Sequence, residues 1–73
     1  MFIKFKINRL LKNYFVEVDG VSKECYWEIV KIMFNKKLFK QYKMFIYMVC
    51  DYKRRKGFCT EVQLEALQRI NNG

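Results

Sequence analysis

Seventy-three residues carry 15 Lys and Arg against 7 Asp and Glu, a net charge of +8 with no histidine; one small domain is all this length allows, and the commonest general base is missing. Apolar residues make up 52% of the chain, including seven Phe, five Tyr and one Trp, a content that excludes a solvated, disordered chain. The three cysteines, Cys25, Cys50 and Cys59, form no C-x-x-C pair, which excludes structural zinc; their odd number does not suit a secreted disulfide framework, so reduced thiols and a cytoplasmic setting are expected.

Residues 2–18 fit two templates. As a helix, Ile3, Ile7, Leu10, Leu11, Tyr14, Phe15 and Val18 fall on one stripe at three-to-four spacing. As a hairpin turning at Lys12-Asn13, one face carries Ile3, Phe5, Ile7 and Leu11 opposite Tyr14, Val16 and Val18, and the other sets Lys6 against Asp19 and Asn8 against Glu17. The opposite charges meet across the strands, and the β-branched and aromatic run Tyr14 to Val18 favours the hairpin. Lysines scattered among the apolar residues of MFIKFKINRL do not resemble a signal peptide.

Asp19-Gly20 marks a turn, after which Ser22 is placed to cap a helix from about Lys23 to Phe34 with the stripe Tyr26, Ile29, Val30 and Met33. From Leu38 onward the stripe is Leu38, Tyr42, Phe45, Ile46 and Val49. At 100° per residue the two stripe centres differ by roughly 150°, too much for one straight helix, so a break falls near Asn35. The next helix should run from about Lys36 to Lys56 and stop at Gly57, with Lys53, Arg54, Arg55 and Lys56 at the negative end of its dipole. Thr60 with Gln63 makes a capping box for a last helix carrying Leu64, Leu67 and Ile70. The expected fold is therefore α+β, an N-terminal β-hairpin followed by three helices. The alternative is all-α, with four short helices.

Phe, Tyr, Met, Ile, Asn and Lys dominate the chain while Ala, Arg and Pro are scarce, the signature of an AT-rich gene. In this bias and in its length the chain resembles small accessory proteins of phages and other mobile elements. The stretch Lys56-Gly57-Phe58-Cys59-Thr60-Glu61-Val62-Gln63 with Leu67 is similar to a pattern near helix pairs in phage and plasmid replication-associated proteins. The resemblance implies a host-takeover or anti-defence role and transfers no functional residue.

Catalysis has little to work with. Glu24 and Glu28 share a helical face but as a pair of the usual solvated kind, Cys59 lacks a base to activate it, and the three glycines at 20, 57 and 73 form no phosphate loop. No enzyme, cofactor, metal or small-molecule substrate is expected. The longest unbroken apolar run, Met44 to Cys50, falls short of the ~20 residues that span a bilayer, and no membrane partner is expected.

The best functional signal is a row of cations. On a helix Lys36, Lys40, Lys43 and Arg54 project along one line with Tyr47, and Lys53, Arg55 and Lys56 widen the patch, while Asp51 near the same line weakens it. Cations at helical spacing match a phosphate backbone, and an interleaved aromatic stacks on a base. The same row suits a solvated face or an acidic protein. Trp27, Phe34, Phe39 and Tyr52 lie off the core stripes and mark an expected interface, for a host protein or for a second copy in a homodimer. The reading is a basic module that binds nucleic acid or a nucleic-acid-handling host complex; its rival is a protein inhibitor that never touches nucleic acid.

Overall fold

The computed structural model describes residues 2–73, and they form four helices with no strand among them: α1 (Ile3–Tyr14), α2 (Gly20–Met33), α3 (Lys36–Lys56) and α4 (Glu61–Asn72). The hairpin expectation is thus corrected to the helical alternative. Ile7 and Leu10 are buried, as is Phe15 just past the helix end, and Ile3, Leu11 and Val18 pack partly buried against them. Phe5 and Val16, which the hairpin needs inside, are 64% and 71% exposed. The reason is backbone accounting. A two-stranded ribbon with no third strand is marginal in water, whereas a helix pairs its backbone groups internally and still buries one stripe.

Ser22 is also reassigned. The helix begins at Gly20, with Asp19 at the N-cap and no side-chain cap bond. Ser22 is buried in the first turn, where its Oγ accepts a hydrogen bond of 3.2 Å from the Cys59 backbone N–H. It ties α2 to the segment leading into α4. The fully buried line of α2 is Cys25, Ile29 and Ile32; of the predicted stripe, Tyr26 and Met33 are only partly buried. The apolar arc of α2 is wide because it serves both the core and a groove described below.

The other boundaries follow from their caps. Asn35 Oδ1 accepts from the Leu38 N–H at 3.1 Å, which starts α3. Gly57, at φ 88°, closes it by donating its N–H to the Lys53 carbonyl at 2.8 Å; that left-handed conformation is cheap only for glycine. At α4 the capping box is complete, with the Gln63 N–H 3.1 Å from Thr60 Oγ1 and the Thr60 N–H 3.0 Å from Gln63 Oε1.

Helix α3 is the spine, packing against each of the other three, while the most extensive pairings are α1 on α3 and α2 on α4. Both pairs run parallel. Lys4 Nζ lies 5.9 Å from the Phe39 ring at one end of the α1/α3 pair, and Lys53 Nζ donates to the Tyr14 carbonyl at 2.7 Å at the other. In α2/α4 the early contact is Ser22 with Cys59, and the late one is Asn71 Nδ2 donating to Glu28 Oε1 at 2.7 Å. No helix among the described residues is long and apolar enough to cross a membrane.

Candidate nucleic-acid interface

The pairing of helices sorts the charge. Helix α1 carries Lys4, Lys6, Arg9 and Lys12 with no acid, and α3 carries eight cations against the single acid Asp51. Helix α2 balances Lys23 and Lys31 with Glu24 and Glu28, and α4 is slightly acidic. Packing α1 along α3 therefore joins twelve of the fifteen cations in one half of the molecule. Two parallel helices of one sign concentrate the field that a polyanion meets.

Within the predicted row the residues divide. Lys36, Lys40 and Lys56 are exposed. Lys43 and Tyr47 are only half-exposed, because the row lies on the flank of α3, about 90° from its solvent pole. Arg54 stands near both Tyr14 of α1 and Tyr47. A half-covered Tyr47 is a poorer stacking platform than the sequence suggests. The solvent pole instead presents Lys37 with the exposed pair Met44 and Met48.

Arg54 and Arg55 are engaged. Arg54 donates to Asp51 Oδ1 at 2.6 Å and Arg55 to Oδ2 at 2.9 Å. These bonds hold the Asp51 carboxyl below the usual carboxylate range, Arg54 contributing more than Arg55. The two guanidiniums are thus partly neutralised before any phosphate arrives. Lys53 is likewise spent on the end of α1, bonded to the Tyr14 carbonyl and 5.4 Å from the Phe15 ring.

Sequence reasoning missed Lys4, Lys6, Arg9 and Lys12, all exposed on α1. The hairpin reading split them between strand faces. The helical stripe of Ile3, Ile7 and Leu10 was the signal that would have set Arg9 and Lys12 opposite the core, with Lys4 and Lys6 on its two flanks.

The four unassigned aromatics also divide. Phe39 is partly buried under Lys4 and packs on the core, while Tyr52 is half-buried and meets the exposed Phe58 edge-on at 5.7 Å. Trp27, at 53% exposure, and Phe34, at 88%, remain on the surface.

The cysteines are buried and unpaired. The Cys25 and Cys59 thiols act on each other: the neighbouring Cys59 with burial raises Cys25, while Cys25 lowers Cys59. Burial pushes Cys50 up to about 12. Because the folded-state value lies above the unfolded one, Cys50 supports the fold fully below the unfolded value of about 8.5 and loses that support as pH rises toward 12. Stability should accordingly fall between about pH 9 and 12, by up to about 1.4 kcal/mol per pH unit for this one proton. Urea melts across that range test it, and Cys50→Ala should flatten the decline. Among the described residues no cluster of three His, Cys, Asp or Glu is placed to hold a metal ion.

No protein-family model, no curated protein and no solved structure matches the chain.

Proposed function

We propose that the protein is a non-enzymatic binding module that engages nucleic acid through the α1/α3 half, acting in the cytoplasm by occupying its target. The observation that carries this is the segregation of charge: twelve cations and one acid on two helices packed side by side. Lys6 and Arg9 on α1 with Lys36, Lys40 and Lys56 on α3 are exposed and outside the Asp51 pairs. They are the residues expected to meet phosphates. The resemblance of composition to phage and mobile-element accessory proteins supports a role in takeover or defence evasion.

Five engaged phosphates would make log affinity fall against log salt with a slope of about −4.5 for duplex and about −3.5 for single strands. Fluorescence anisotropy with labelled duplex and single-stranded oligonucleotides measures it. A flat salt response, or no binding at low salt, overturns the proposal.

A further inference from the structure

Helices α1 and α2 both lean on other helices more than on each other, and between them lies an open groove of about 480 Å³. Its α1 wall holds Lys4, Asn8, Leu11 and Lys12; its α2 wall holds Tyr26, Val30 and Met33. Phe34 stands at its rim almost fully exposed, and Trp27 packs edge-on against Tyr26 with ring centroids 5.2 Å apart. The floor is apolar, and no acid lines it. Of the aromatics that sequence analysis left without a core position, Phe34 lines this groove, and Trp27 adjoins it only through Tyr26.

We infer that this groove docks an amphipathic helix of a protein partner whose flanks are acidic. Dimensions argue for a helix. Lys4 to Lys12 and Tyr26 to Phe34 each span eight residues, about 12 Å of helix, which is the reach of apolar anchors at i, i+3 or i+4, and i+7. Charge argues for acid. Lys4 and Lys12 stand at the two ends of the α1 wall, so carboxylates seven or eight residues apart on the incoming helix would meet both. A nucleic-acid strand would satisfy the two lysines but leave Leu11, Val30 and Met33 unmatched. The groove is therefore a second surface, independent of the phosphate-binding residues named above.

The test is a displayed library of helical 14-residue peptides selected on the purified full chain, followed by anisotropy with a labelled consensus peptide. Enriched peptides should carry three apolar anchors at helical spacing with Asp or Glu on the flanks. Lys4→Glu with Lys12→Glu should weaken the consensus peptide at least tenfold, and Phe34→Ala several-fold. Lys36→Glu with Lys40→Glu should leave it within twofold while reducing oligonucleotide binding, which separates this surface from the nucleic-acid one. No enrichment, enrichment of peptides lacking acids, or indifference to the Lys4 and Lys12 reversals overturns the inference. Displacement of the peptide by single-stranded oligonucleotide from a Lys36→Glu/Lys40→Glu variant, or a concentration-dependent dimer abolished by Phe34→Ala, overturns it in favour of nucleic acid or a second copy.

Discussion

Ile46→Ala should cost about 2–5 kcal/mol, a large part of what a chain this short possesses. Ile46 is fully buried on α3, the helix that packs on all the others. A cavity there is lined by several helices that cannot all collapse into it. At roughly 0.05–0.15 kcal/mol per residue the whole domain commands about 4–11 kcal/mol, and each kcal/mol moves the melting midpoint by about 4–8 °C. A drop of more than about 10 °C in helical circular dichroism is the expected result. Phe5→Ala removes a larger ring from an exposed site on α1 and should stay within about 0.5 kcal/mol of wild type. If both variants melt alike, the assignment of the core to this side of α3 is wrong, and with it the placement of α1.

What was legible in the sequence was the part that rests on local chemistry. Gly57, Thr60 and Gln63 set the end of α3 and the start of α4 because caps act on neighbouring backbone groups, and each makes the bond its residue type implies. The break near Asn35 follows from the offset of two apolar stripes and not from the cap that Asn35 makes there. Residues 2–18 were not legible, since alternation and three-to-four spacing coincide at Ile3, Ile7 and Leu11, and only the lack of a third strand decides between them. Ser22 failed for another reason: its hydroxyl serves Cys59, thirty-seven residues away, and no local pattern reports such a partner. The candidate site shows the same division. Lys36 and Lys40 follow from helical periodicity, and so does Asp51's hold on Arg54 and Arg55, three and four residues along the same helix; only the partial burial of Tyr47 depends on packing. The groove between α1 and α2 could not be seen at all until α1 was a helix.

Charge reversal across the α1/α3 half should have the largest effect on binding. Lys6→Glu, Arg9→Glu, Lys36→Glu and Lys40→Glu together remove four phosphate partners and add four repulsions, all at exposed positions where folding tolerates the change. Affinity for duplex DNA at low salt should fall at least about a hundredfold, and the salt slope should flatten by about 3.6. Arg54→Ala with Arg55→Ala makes the informative contrast. Both guanidiniums already bond Asp51, so their loss should weaken binding only a few-fold, whereas Asp51→Asn should strengthen it by releasing two cations and deleting the one acid of α3. Asp51 is held below the usual carboxylate range and the chain has no histidine, so the clamp should persist, and affinity stay level, from about pH 5 to 8. A quadruple variant that binds like wild type would remove α1 from the interface. Arginine variants as damaging as the quadruple would show instead that phosphate displaces Asp51, and that the C-terminal end of α3 is the principal contact.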